Sequence, residues 1–162
     1  GMAFMRTSKI ADGVPELREI ELVGDYYAIR WMQDHIAGSP VIMEGLAGEY
    51  HWGNRVSVYT GLPAVIGWSW HQRQQRIMLP DPQVEKRRSD VNACYNTSDV
   101  AYAWEILKHY GVSYIYVGEY ERAFYDPAGL EKFDHMAAQG MLEVVYDKWG
   151  VRIYKVISSW PA

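Results

Sequence analysis

Residues 112–117, Val-Ser-Tyr-Ile-Tyr-Val, form a short apolar run set between two helical patterns. A run this short, rich in β-branched and aromatic residues and bounded by Gly111 and Gly118, reads as a strand buried on both faces. Such a strand must be covered above and below. It therefore dictates a layered α/β architecture. Its flanks agree. From Ser98 to Tyr110, Val100, Trp104 and Leu107 are spaced to face inward, and Glu105, Lys108 and His109 face water. Thr97 or Ser98 can cap this helix and Gly111 closes it. Downstream, Asp126-Pro127 opens a second helix with the stripe Leu130, Phe133 and Met136-Ala137, ended by Gly140. Met141 to Tyr146 and Val151 to Ile157 read as strands, joined as a hairpin by Asp147-Lys148-Trp149-Gly150.

The first half is patterned similarly. Asp25 to Ile36 is a helix with Ala28, Ile29, Met32 and Ile36 on one face, stopped by Gly38 and Pro40. Val41-Ile42-Met43 is a short buried strand, and Gly45 to Gly53 is a loop. Arg55 to Thr60 is rich in strand-favouring residues and reads as a strand. Ala64 to Arg76 reads as a helix that turns polar, and Gln83 to Tyr95 as another. The expected fold is α/β: a mixed, mainly parallel sheet with helices on both faces and a C-terminal antiparallel hairpin. Val112 to Tyr146 would make one parallel βαβ unit. Residues 25–162 are expected to form a single domain. Residues 1–24, broken by Gly13-Val14-Pro15, are expected to be an extended lead-in.

In open α/β sheets, ligands bind beyond the carboxyl ends of parallel strands. The first strand ends in Glu44 and runs on to Glu49-Tyr50. The central strand runs into Glu119 and Arg122. If the two strands are parallel, Glu44 and Glu119 share an edge. There they could serve as acid and base, bind a cation or bind sugar hydroxyls. They could equally cap helices or pair with Arg55 and Arg122. No phosphate-loop or GxGxxG pattern occurs, the histidines lack metal-ligand spacing, and no serine sits in a GxSxG setting. Neither a metal nor a cofactor is expected. Cys94 is the single cysteine and reads as a buried apolar residue. The net charge of −4 and the lack of a long basic run argue against nucleic acid. The most unusual stretch is Gly67-Trp68-Ser69-Trp70-His71, followed by Gln and Arg. Rings beside planar hydrogen-bonding groups suit carbohydrate or a phosphate headgroup, and an amphipathic packing helix is the alternative. The seven Trp and 13 Tyr against three Phe suit interfaces in the same way.

No stretch approaches the ~20 apolar residues of a membrane-spanning helix. Gly1 ahead of Met2 reads as an expression scar, so the chain is expected to be a fragment of a longer one. Several ordered motifs point to its source. They are Pro40 to Glu44, Arg55 to Pro63, Gly67-Trp68 with His71, Arg88-Ser89-Asp90-Val91, and Tyr110-Gly111-Val112 with Tyr116-Val117-Gly118. Glu121-Arg122 with Tyr125, and Gly129-Leu130 with Lys132-Phe133, complete the set. From Asp25 to Val156 the chain resembles the C-terminal part of the YYY-type membrane proteins of Chloroflexi and archaea. One departure stands out: the family carries an acidic and aromatic pair after the His, where this chain has Gln72 and Gln74.

That family is itself similar to the C-class integral-membrane glycosyltransferases, which use polyprenyl-phosphate sugars. The resemblance implies a water-soluble domain on the extracytoplasmic face of the cell membrane, following a membrane helix. It would partner the transmembrane part of its own chain and a lipid-linked sugar or glycan acceptor. It would aid binding rather than carry the catalytic acid. Under this reading Glu44, Glu49, Tyr50, Arg55, Trp68, His71, Arg88, Glu119 and Arg122 are the candidate ligand contacts, with Arg76 a further phosphate or sugar candidate. Two other readings stay open. One is a free-standing sugar- or nucleotide-binding protein or enzyme using Glu44 and Glu119. The other is a non-catalytic interaction module.

Overall fold

The computed structural model describes residues 23–45, 55–66 and 82–157. In chain order the elements are α1 (Val23–His35), β1 (Val41–Met43), α2 (Arg55–Thr60), α3 (Pro82–Asn96) and α4 (Val100–Tyr110). There follow β2 (Val112–Val117), α5 (Glu119–Phe124), α6 (Pro127–Ala138), β3 (Leu142–Lys148) and β4 (Val151–Val156). The four strands form one mixed sheet in the order β1-β2-β4-β3. β1 and β2 are parallel, while β4 runs antiparallel to both β2 and β3. Three strands thus share a direction and β4 opposes them.

The α/β class, the two covered faces and the terminal hairpin are as expected. The βαβ unit is altered: β2 and β3 run the same way but do not pair, because β4 lies between them. Burial explains the insertion. Val151 and Ile153 of β4 face one core while Tyr154 and Val156 face the other, so β4 needs an interior position. β3 exposes Glu143, Val144, Asp147 and Lys148 and suits an edge. The reversal is made by Trp149-Gly150, with φ of +54° and +78°. Both central residues of a two-residue hairpin turn of this hand need positive φ.

Two further expectations are corrected. Arg55 to Thr60 is a helix, not a strand. The Glu44 carboxylate accepts hydrogen bonds from the Val56 and Ser57 amides, at 3.0 and 2.9 Å. An anion on the first free N–H groups of a helix outweighs a weak strand preference. Ala64 does not begin a helix. It forms a parallel bridge with Ile42, supported by Ile42 N donating to Pro63 O and Val65 N donating to Ile42 O. The rest of the expected 64–76 helix, from residue 67, lies outside the described residues, as does most of the 45–53 loop. The cap of α4 is Asp99, one residue beyond the expected pair, with Tyr102 N donating to its side chain. The inward face of α4 is Ala103, Ile106 and Leu107, with Val100 and Trp104 half-buried.

α1 packs one face of the sheet, where Ala28 and Met32 meet Ile42, Tyr116, Tyr146 and Ile153. The opposite core joins α3, α4 and α6 through Cys94, Tyr95, Leu107, Phe133 and Met136 over Ile115, Val117 and Tyr154. The junction of α3 and α6 is tight. A Cβ at Gly129 would meet Tyr95 O at 2.2 Å and Asn96 O at 2.6 Å. One turn on, buried Lys132 donates to the carbonyls of Cys94 and Gly129 and lies over the Phe133 ring, 3.9 Å from its centroid. Its ammonium thereby satisfies the free carbonyls at the end of α3. Burial pushes the Lys132 ammonium down to about 8, against a small upward pull from Cys94, and pushes the Cys94 thiol up to about 12.

Gly129→Ala is expected to destabilise the protein by about 2 kcal/mol or more in urea melts, because the backbone oxygens it meets cannot yield, despite alanine's better helix propensity. The Lys132 side-chain carbon resonances should titrate with a midpoint near 8. The unfolded chain holds that proton up to its ordinary value of 10.5, so this group adds stability as pH rises from about 8 towards 10.5.

Candidate functional site

The carboxyl ends of β1 and β2 lie side by side, with Met43 opposite Ile115. Each strand ends in a short segment with an acid and a glycine: Glu44-Gly45 after β1, and Gly118-Glu119 after β2. This is the edge where a parallel pair commonly builds a site. The acids meeting there divide into two kinds.

Glu44, Asp25 and Glu121 are buried, at 2%, 2% and 0% exposure. Each has identifiable work. Glu44 caps α2. Glu121 receives the Gly45 amide on one oxygen and the Gly118 amide on the other, both at 2.8 Å. One carboxylate therefore bridges the ends of both strands. Its bond to Gly118 is half of a capping box, with the acid three residues past the helix cap. Asp25, in the first turn of α1, accepts from the Tyr116 hydroxyl. Tyr95 completes the seam: its hydroxyl lies 3.1 Å from Met43 O and 2.7 Å from Tyr116 O. Burial, then the Glu121 charge, raises the Tyr95 hydroxyl well above its ordinary value, which keeps it a proton donor. The glycines let these carboxylates approach the backbone closely. A Cβ on Gly45 would stand 2.8 Å from Glu121 Oε2, and one on Gly118 would stand 3.0 Å from Asp25 Oδ1.

Glu119 and Arg122 are exposed on α5 and paired at 2.6 Å. Arg122 also donates to Gly150 O at the tip of the β3–β4 hairpin. Glu44 and Glu119 thus share an edge, as expected, but one is an internal cap and the other a surface ion pair. Among the other sequence candidates, Arg88 sits half-buried on α3 and Arg55 opens α2, its side chain outside the described residues. Glu49, Tyr50, Trp68, His71 and Arg76 also lie outside them. Glu121 and Tyr95 were missed as parts of this edge. The Gly-x-x-Glu spacing from Gly118 was the available signal for Glu121. Nothing local marks Tyr95, which arrives from α3.

Beside Arg122 opens a cleft of about 500 Å³ between α6 and the hairpin. Val117, Leu130, Pro127 and Val151 make its apolar wall, and Glu131, Asp134, Asp147 and Arg152 its polar one. Arg152 is held between Asp134 at 2.6 Å and Asp147 at 3.1 Å, and the Tyr154 hydroxyl donates to Asp134 at 2.5 Å. On the other side of Arg122 and Gly150, Trp149 stands 69% exposed with Tyr27 beside it, ring centroids 5.9 Å apart. A left-handed backbone costs a residue with a side chain about 1 kcal/mol, and Trp149 carries that cost at φ +54°. Among the described residues, no group of three or more His, Cys, Asp or Glu side chains is placed to hold a metal. No described helix is long and apolar enough to cross a membrane.

Comparison with solved structures finds the same α/β fold elsewhere. The C-terminal globular domain of an oligosaccharyltransferase from Archaeoglobus fulgidus superposes with a TM-score of 0.50. The match covers 85% of this chain and 99% of that one, at 13% sequence identity. At that identity the likeness is one of fold. No protein-family model matches the chain, and no curated protein does.

Glu44→Ala should cost about 2 kcal/mol or more, because it leaves two buried amides without an acceptor. Glu121→Ala should cost at least as much. Glu119→Ala, which removes only an exposed pair, should change stability by less than about 1 kcal/mol. Thermal melts of the three variants check the ranking.

Proposed function

We propose that this chain is the globular, non-catalytic C-terminal domain of a membrane-embedded protein of the glycosyltransferase type. In this reading it lies on the extracytoplasmic side and helps hold the substrate of a catalytic centre located elsewhere in the parent. The observation that carries the reading is the fold match, which spans nearly the whole of the oligosaccharyltransferase domain. The resemblance of the ordered sequence motifs to those of the YYY-type membrane proteins points the same way. The geometry of the edge adds support. Glu44 and Glu121 have their oxygens committed to backbone amides, so they are poor candidates for moving protons. A free-standing enzyme built on Glu44 and Glu119 would need both carboxylates open to substrate. Glu44 is buried.

The test has two arms. The coding sequence upstream of Met2 should encode membrane-spanning helices. The intact parent in membranes should transfer sugar from a polyprenyl-phosphate donor, lose that activity when residues 25–162 are deleted, and the isolated chain should turn over nothing. Transfer by the isolated chain, or an authentic start at Met2 with no spanning helix ahead of it, overturns the proposal.

A further inference from the structure

The tip of the β3–β4 hairpin carries the most exposed large apolar side chain among the described residues, Trp149. It is also the only described residue other than glycine with positive φ. Asn or Gly would make the same turn without strain. Neither the turn nor the core therefore asks for tryptophan here. Yet the tip is held firmly. Trp149 O packs so closely on the first turn of α1 that a Cβ on Gly24 would lie 2.1 Å from it. Gly150 is fixed from the other side by Arg122, which donates to its carbonyl and is itself paired with Glu119. A rigid mount thus presents an indole to solvent, with Tyr27 tilted 33° beside it.

We propose that Trp149, Tyr27, Arg122 and Glu119 form a binding platform for a neutral glycan, extended by the adjoining cleft. The chemistry of the surroundings selects that ligand. A sugar ring has an apolar C–H face, which stacks on an aromatic ring, and a rim of hydroxyls. These hydroxyls donate to a carboxylate and accept from a guanidinium, and Glu119 and Arg122 supply both at Gly150, the residue after Trp149. Arg122 and Gly150 also line the cleft, so a second sugar unit could follow the first onto Asp134, Asp147 and Arg152. The cleft volume of about 500 Å³ lies within the range of small-ligand sites. A phosphate or an anionic bilayer fits less well. The cleft lining and Glu119 together carry four acids, Glu119, Glu131, Asp134 and Asp147, against the two arginines Arg122 and Arg152, with His135 next to Glu131, so acids outnumber permanent positive charges there. The platform rests on the function proposed above for its place in a sugar-handling protein, while the ligand class and location are read from the chemistry and geometry of the tip.

The test titrates the isolated chain with maltotriose, mannotriose and chitotriose, following the Trp149 indole N–H resonance assigned by substitution. At least one trisaccharide should shift that resonance in a saturable way. Trp149→Asn should fold as stably as the parent, since asparagine suits this turn, and should weaken binding by about tenfold or more. Trp149→Tyr should retain most of the affinity, and Arg122→Ala should lose it. Failure of all three sugars to move the Trp149 signal overturns the platform. So does a Trp149-dependent binding to vesicles containing anionic phospholipid without any sugar response, which would make the tip a membrane contact. Either failure leaves membrane helices upstream of Met2 as a separate question. Conversely, sugar binding with no such helices keeps the platform and removes the membrane reading.

Discussion

The Glu121 carboxylate, held between the amides of Gly45 and Gly118, is the contact on which the upper edge of the sheet depends. A three-residue β1 strand offers few ladder bonds to keep it beside β2. At the point where both strands stop, two backbone N–H groups would otherwise be buried without partners. One side chain accepts from both. Glu44, one residue past β1, does a similar service for α2 and so fixes where the chain goes after the strand. Tyr95, reaching in from α3, places one hydroxyl near the last carbonyl of β1 and a carbonyl of β2. Helices from both faces of the sheet therefore converge on a single polar seam within an apolar interior.

This arrangement limits the chemistry open to the edge. Carboxylates that accept two backbone hydrogen bonds each, at full or nearly full burial, hold the scaffold in place. Groups able to meet a ligand lie farther out, on α5 and on the hairpin tip. There Arg122 ties the two together through Glu119 and Gly150. An inner structural ring is thus divided from an outer mixed aromatic and charged surface.

Much of the fold was legible because its helices carry their own punctuation. Asp126-Pro127 starts α6 as expected, with the Asp126 side chain accepting from Ala128 N, and Gly111 closes α4 at φ +62°. The apolar run 112–117 was legible because burial on two faces leaves no polar alternation to confuse it. What escaped was long-range. The α2 helix has a strand-like composition, and the residue that overrides it, Glu44, lies more than ten positions away in sequence. The place of β4 between β2 and β3 depends on which strand has two apolar faces, a comparison that no single strand pattern displays. At the site, Glu44 and Glu119 were correctly placed on one edge, yet their burial differs completely. The acid that joins the strands, Glu121, has a local signal for its bond to Gly118 in the Gly-x-x-Glu spacing, but none for its reach to the amide of Gly45, 76 positions away. The same limit applied to Lys132, whose ammonium is matched by carbonyls at the end of α3.

Amide hydrogen exchange probes the seam without changing a residue. If Glu44 and Glu121 are structural staples, the amides of Gly45, Val56, Ser57 and Gly118 should exchange only through opening as rare as that of β2 itself, although Gly45 and Gly118 lie outside the strands and Val56 and Ser57 begin a helix. Exchange of those four amides at the rate of an open loop, while β2 stays protected, would mean that the carboxylates stand free at the edge and are available for chemistry.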